Sequence, residues 1–363
     1  MHSGSAGMGR SWLGVVVFLM AAALAVHSAT AAADTEVKPY SIDVPASVLE
    51  DLQYRLAHAR FPQPLDTFET ADQWAYGTPA AYMKELTHYW LHSYNWTEQQ
   101  AKLNQFPQFT TEIEGLSVHF LHVRSKAPNA IPLILSHGWP GSVLECTKVI
   151  PLLTDERASI PFHVVCPSLP GYGFSEAPKE PGFDPTKIAS MFVQLMERLG
   201  YTEYVAQGGD WGSAITTEIG MQAPQHCRAI HINFLPTGPP SDKGMLASLK
   251  LGLSYLFPSW FYTPREIHNI REVFSATKPH TVGFALNDSP VGLAAYIVEK
   301  FRTWGDCRGD VENSFSKDEL LTNIMIYWVS QSITPSMRLY YEQFHTKESV
   351  FDKGARLYVT VPT

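Results

Sequence analysis

Tyr204-Val205-Ala206-Gln207-Gly208-Gly209-Asp210-Trp211-Gly212-Ser213 decides how this chain is read. A short strand-like run, Tyr204–Gln207, gives way to two glycines, and a helical pattern follows over about 211–222. The spacing Gly208-x-Asp210-x-Gly212 predicts a turn so tight that neighbouring side chains would collide, which lifts residue 210 clear of the backbone. It has the frame of a nucleophile elbow, with Asp at the position that Ser takes in the usual Gly-x-Ser-x-Gly form. An Asp before a helix is also a good N-cap, and the short pattern alone leaves both readings open.

A second stretch narrows the choice. Ile134-Leu135-Ser136-His137-Gly138-Trp139-Pro140-Gly141-Ser142 follows another strand-like run, Ile131–Ser136. In α/β-hydrolases a loop in this place and the residue after the nucleophile each give a backbone N–H to an oxyanion hole. Here those donors are Trp139 and Trp211, aimed at charge developing on the Asp carboxyl oxygen. The side chain of His137 is read as structural, because its position matches the hole and not a base.

Working outward, Phe162–Cys166 and Ala229–Phe234 are further strand candidates, and helices are expected over about 142–152 and 186–199. Strands alternating with helices argue a parallel sheet covered on both faces. Phe109–Ile113 and Leu116–Val123, split by Glu114-Gly115, read as a β-hairpin. Residues 34–108 form a helical N-terminal arm. Pro45 suits a first helical position, with Val48, Leu49, Leu52 and Leu56 following at helical spacing, and a second helix carries Met83, Leu86, Trp90 and Leu91. The core occupies 109–235. Residues 236–330, rich in Pro, Gly and aromatics, break the alternation and read as an inserted helical lid. Residues 331–363 return to the core, with a last strand at Leu357–Val361.

The first 33 residues stand apart. Arg10 is the only charge before Asp34, Trp12–Val26 is uninterrupted and apolar, and small residues lead to Ala31-Ala32-Ala33. This is the build of a secretory signal peptide, with an uncleaved signal anchor as the alternative. Either sends the chain into the secretory pathway, to the endoplasmic reticulum membrane or lumen or to secretion, and leaves membrane association through this segment open. Asn95-Trp96-Thr97 then reads as a glycosylation acceptor. The 363 residues are 45% hydrophobic and 17% charged, with 27 Lys and Arg against 35 Asp and Glu. That is globular composition with no basic domain, so nucleic acid is excluded as an expected partner. Four cysteines without CxxC spacing fit neither a disulfide scaffold nor a zinc ribbon.

An Asp nucleophile, unlike Ser, suits attack at a saturated carbon with a strained or good leaving group. The ester so formed is then hydrolysed by water at its carbonyl, where the oxyanion hole acts. Epoxides and alkyl halides are the substrates implied. The chain resembles the microsomal-type epoxide hydrolase family over residues from about 38 to the end. The likeness is carried by the helical arm, His137–Ser142, Gly208–Gly212, Thr277-Lys278-Pro279 and Ala285-Leu286-Asn287-Asp288-Ser289-Pro290-Val291-Gly292-Leu293-Ala294-Ala295-Tyr296. The resemblance implies an α/β-hydrolase core, mostly parallel, with a lid. It also implies no metal and no cofactor, a small lipophilic epoxide and water as reactants, Asp210 as nucleophile and a vicinal diol as product. It places the proton donor to the epoxide oxygen at Tyr340, within Arg338-Leu339-Tyr340-Tyr341-Glu342, with Tyr341 as the fallback. A neutral phenol can donate at pH 7.

Two departures stand out. A second ring-opening tyrosine is expected before Thr277, where Arg271 stands and Tyr262 is the nearest tyrosine upstream; a guanidinium is a poor general acid. The acid and histidine that activate water are expected after the 357–361 strand, and neither is found in the chain. His280 and His345 lack a comparable setting, and Asp242 comes too far past its strand. The reading is therefore of a C-terminally truncated enzyme, with apolar sheet surface left exposed on one flank. Two alternatives remain: a haloalkane dehalogenase-like hydrolase, and a protein that binds or traps epoxides without turnover. Trp139, Trp211 and the lid residues Phe257, Trp260 and Phe261 make the expected pocket apolar.

Overall fold

A computed structural model describes residues 36–63, 74–234, 278–345 and 359–363. At its centre is a seven-stranded sheet in the order β1-β2-β3-β5-β4-β6-β7. The strands are β1 (Lys38–Tyr40), β2 (Gln108–Ile113), β3 (Leu116–Val123), β4 (Ile131–Ser136), β5 (Phe162–Pro167), β6 (Tyr204–Gly208) and β7 (Cys227–Ile232). Strands β4 to β7 run parallel, while β1, β2 and β3 add an antiparallel flank. The period of two in strand side chains gives the sheet two apolar faces. Leu133, Leu135, Val164 and Cys166 face one cluster, and Ile134 and Val165 face the other.

The helices follow from caps and apolar stripes. In α6 (Pro185–Arg198), Ile188, Met191, Phe192, Leu195 and Met196 are buried at helical spacing, and the Asp184 side chain caps the first turn. Helix α7 (Trp211–Gln222) is buried on nearly every side from Trp211 to Gly220. The arm holds α1 (Ala46–Ala57), α2 (Ala80–His92) and α3 (Trp96–Leu103). It packs on helices α9 (Pro290–Trp304) and α10 (Lys317–Ser330), where the Tyr89 hydroxyl donates to Asp318 at 2.9 Å and the Thr78 hydroxyl to the Ala295 carbonyl at 2.7 Å. Two further helices are α8 (Pro279–Asp288) and α11 (Ile333–His345). Among the described residues no helix is long and apolar enough to cross a membrane.

Several expectations shift. The arm is not all helix: β1 pairs with β2, and three residues are too few to show a period. Pro45 is the N-cap of α1, one place before its first helical residue. The helix expected over 142–152 is two short ones, α4 (Leu144–Thr147) and α5 (Ile150–Leu153). Pro151 has no N–H for the Thr147 carbonyl, so one continuous helix cannot form. Strand β7 begins two residues earlier than expected. Of the strand expected at 357–361, the described part, 359–361, pairs with no neighbour as a ladder. Instead the Ile230 N–H donates to the Pro362 carbonyl at 2.9 Å, and Val361 is buried against Gly220 of α7. Pro362 itself has no N–H to return. Phe257, Trp260, Phe261, Tyr262, Asp242 and Arg271 lie outside the described residues.

Candidate active site

Strand order reverses at β4, since the chain passes from β4 to β5 on one side and to β6 on the other. That is where parallel α/β sheets form a crevice at their carboxyl ends. Ser136 ends β4 in register with Gly208, which ends β6. The two decisive loops therefore leave the sheet side by side.

Asp210 stands between β6 and α7 with φ +52° and ψ −126°, a conformation rarely taken by a residue with a side chain and costing about 1–3 kcal/mol. The glycines make it possible. A Cβ on Gly208 would strike the Gly212 carbonyl, and a Cβ on Gly212 would strike the Ser136 carbonyl of β4. Gly138 lies against the Asp210 side chain in the same way. The side chain of Asp210 makes no cap bond to α7; it turns toward the β4 loop, so the elbow geometry prevails over the N-cap reading.

The Trp139 N–H donates to Asp210 Oδ1 at 2.8 Å, and the Trp211 N–H faces the same carboxyl. Burial pushes the Asp210 carboxyl up to about 6, and the two amides pull against that rise. It is therefore mostly ionised at neutral pH. Tyr340, buried on α11, sets its ring edge-on against both indoles: centroids lie 5.4 Å from Trp139 and 4.9 Å from Trp211. Burial and the Asp210 charge raise its phenol well above the ordinary value, so it holds its proton. Tyr341, by contrast, faces solvent and stacks on His345. Glu145 packs against Gly141 at the far end of the β4 loop. Its side chain reaches solvent although protein surrounds it, and that enclosure, with Asp210 near, pushes its carboxyl up to about 8.

Nδ1 of His137 bonds the Gly138 carbonyl at 3.0 Å, and Nε2 accepts the Leu169 N–H at 3.3 Å. With both nitrogens engaged and the ring buried, its pKa falls to about 4, and it holds the loop as a neutral side chain. His280 and His345 lie exposed on α8 and α11, bonded to Arg338 and to the Tyr341 carbonyl. A surface recess of about 800 Å³ lined by Arg55, His280 and Arg338 includes none of Asp210, Trp139, Trp211 or Tyr340. That recess is thus separate from the Asp210 site.

Sequence reasoning missed the braces of the β4 loop. Asn323 of α10 donates to the Pro140 carbonyl at 2.7 Å and accepts the Ser142 hydroxyl at 2.8 Å. Tyr327, one turn on, donates to the Gly141 carbonyl at 2.7 Å. The Ser336 hydroxyl accepts the Trp139 indole N–H at 3.1 Å, one turn before Tyr340 on α11. Polar residues inside the apolar run Leu320–Trp328 were the available signal. A disulfide, Cys146–Cys166, also ties α4 to the end of β5.

A parallel sheet, an Asp at a strained strand-to-helix elbow and two loop amides facing its carboxyl define an α/β-hydrolase with an aspartate elbow. The family models agree: "Epoxide hydrolase N terminus" matches residues 37–146 and "alpha/beta hydrolase fold" matches 131–274. Epoxide hydrolase 1 of Sus scrofa is 39% identical over 360 residues, 92% of this chain and 78% of that protein. Juvenile hormone epoxide hydrolase 2 of Ctenocephalides felis is 39% identical over 339 residues, 86% of this chain and 70% of that protein. The crystal structure of juvenile hormone epoxide hydrolase from Bombyx mori superposes with a TM-score of 0.76 at 37% identity, covering 91% of this chain and 82% of that one. The chain belongs to the epoxide hydrolase family, and its reaction class is the hydrolysis of an epoxide.

Proposed function

We propose that Asp210 opens a lipophilic epoxide by direct attack. A carboxylate oxygen bonds to one ring carbon, the carbon–oxygen bond breaks, and its electron pair goes to the ring oxygen. The Tyr340 O–H delivers the proton to that oxygen, giving a hydroxyalkyl ester on Asp210. Water then attacks the ester carbonyl; one of its protons passes to the departing alkoxide and the other restores the Tyr340 phenol. The Trp139 and Trp211 amides hold the oxyanion, and collapse releases the vicinal diol and restores the carboxylate. The observation that carries this reading is the Trp139 N–H bond to Asp210 Oδ1, with Tyr340 packed edge-on against both indoles that supply the amides.

The substrate class follows from the walls. Trp139, Trp211 and Tyr340 put aromatic surface beside the carboxyl, and Phe344 packs on Trp211, which favours apolar epoxides over charged ones. Tyr340 also favours an epoxide over an alkyl halide, because a departing halide needs no proton. The secretory pathway is the proposed location, with the N-terminal segment as leader or membrane anchor. The Cys146–Cys166 bridge fits an oxidising compartment, and Asn95 is exposed at the start of α3, where its amide also caps the helix.

The test is to mix the protein with styrene oxide and follow intact mass and diol. An adduct on Asp210, or diol formation, both abolished by Asp210→Asn, is the expected result. Neither adduct nor diol from the folded wild type would overturn it.

A further inference from the structure

Helix α9 sets Tyr296, Lys300 and Trp304 four residues apart, so the three side chains share one face. That face meets the oxyanion loop. The Trp139 indole lies 5.9 Å from the Tyr296 ring and 6.0 Å from the Trp304 ring between centroids, with Tyr340 of α11 on it at 5.4 Å. Its ring N–H donates to Ser336, and the Trp139 amide donates to Asp210 Oδ1. The two α9 rings also flank a charge. The Lys300 ammonium is 5.2 Å from the centre of the Tyr296 ring and 5.5 Å from that of Trp304, both within cation–π range. Its side chain is 7% exposed and pairs with Glu299 at 2.7 Å, and Glu299 also accepts the Thr303 hydroxyl at 2.9 Å.

Stability alone explains an ion pair in this place poorly. Taking an ammonium and a carboxylate out of water costs about as much as their attraction returns, and apolar side chains of like size are often as stable or more so. What an apolar residue lacks is a charge that attracts two rings at once. We propose that Lys300 is a positioning residue for the reaction: its ammonium holds the Tyr296 and Trp304 rings against the Trp139 indole, and so keeps the Trp139 amide on Asp210 Oδ1. This rests on the reading of Asp210 as the nucleophile. The indole and the amide belong to one residue, so a tilt of the ring carries the amide with it. With Oδ1 held by that amide, the other carboxylate oxygen stays aimed for attack. A slack indole lets the carboxylate turn, and small misplacements slow a reaction strongly. It also weakens a hydrogen bond that pulls the Asp210 pKa down.

The test replaces both charges together, Glu299→Gln with Lys300→Met, so that net charge and packing volume hold. Lys300→Arg is the rescue, since a guanidinium keeps a cation on the rings. Alkylation of Asp210 by styrene oxide is followed by rapid mixing and intact mass across the pH range in which Asp210 ionises, with thermal melts alongside. We expect the neutral pair to melt no lower than wild type and to alkylate roughly tenfold slower at saturating epoxide. The concentration giving half the maximal rate should hold. The rate should also begin to rise at higher pH, although Glu145, Tyr172, Tyr327 and Tyr340, the titratable groups around Asp210, are untouched. Lys300→Arg should match wild type. A neutral pair with the wild-type rate and pH dependence would overturn this proposal alone. So would a large fall in melting temperature, or Lys300→Arg as slow as the neutral pair, since either would mean that packing and not the cation sets the wall. A wild type with no adduct and no diol would overturn the Asp210 reading and this proposal with it.

Discussion

The site has two sides built on different principles. On the sheet side, β4 and β6 deliver backbone: glycines that let chains approach, and amides that face a carboxyl. On the helix side, α9, α10 and α11 deliver side chains: Tyr296, Asn323, Tyr327, Ser336 and Tyr340. The sheet side is rigid because parallel neighbours fix the register Ser136↔Gly208. The helix side is positioned by single hydrogen bonds and ring contacts. A change on the first side should therefore break the molecule, and a change on the second should loosen it.

The sharpest contrast is Gly212→Ala. A methyl group there, at the start of α7, meets the Ser136 backbone carbonyl, and β4 cannot retreat without losing its register with β6. The expected loss is about 4 kcal/mol or more, seen as failure to fold or a large drop in Tm. Asn323→Ala tests the other side. It leaves the Pro140 carbonyl and the Ser142 hydroxyl, both buried, without their partner, at about 3 kcal/mol for the pair. Denaturant unfolding should show a folded, weakened protein. If Asn323→Ala proved as damaging as Gly212→Ala, the division between the two sides would fail.

This division also explains what the sequence could reveal. Strand β4, strand β6, helix α7 and the Asp210 elbow rest on local pattern: apolar runs, glycine spacing, and a helix that begins at once. They could be read residue by residue. Tyr340 could not, because nothing beside it in the chain marks it; only its likeness to a family motif pointed there. Asn323, Tyr327 and Ser336 were missed because their partners lie 181 residues or more away in Trp139, Pro140, Gly141 and Ser142. Their chemistry exists only after the helices dock. The same holds for Cys146 and Cys166, whose pairing depends on how α4 meets β5.

Asp210 belongs to the sheet side but carries a side-chain charge, and its pH dependence separates the two contributions. Its pKa rises from 3.8 to about 6 on folding. A carboxylate raised in the folded state contributes stability that is fully present below the unfolded value and is lost as pH rises through the folded one. Wild type should therefore lose roughly 2 kcal/mol between about pH 4 and pH 7, the full value being reduced because the carboxyl still meets solvent. Asp210→Asn should escape this loss. It should be the more stable protein at pH 7, with the gap closing toward pH 4, in paired melts across that range. The rate of adduct formation in wild type should rise over the same interval, as the nucleophile ionises.

The smallest effect is expected from Tyr327→Phe. The substitution keeps the ring in the α10 core and deletes one donor to the Gly141 carbonyl. Asn323 still holds the loop one residue away, so the stability cost should be about 1 kcal/mol. The kinetic cost should be out of proportion to it. Gly141 closes the turn onto the Gly138 carbonyl at 3.1 Å, and Trp139 sits inside that turn with its amide on Asp210. If the loop relaxes, the amide moves off the line on which oxyanion stabilisation depends, where small displacements are costly. Ester hydrolysis, or alkylation if the ester persists, should therefore slow severalfold while Tm shifts by only a few degrees. Equal losses in rate and stability would mean that Tyr327 merely packs, and that Asn323 alone positions the loop.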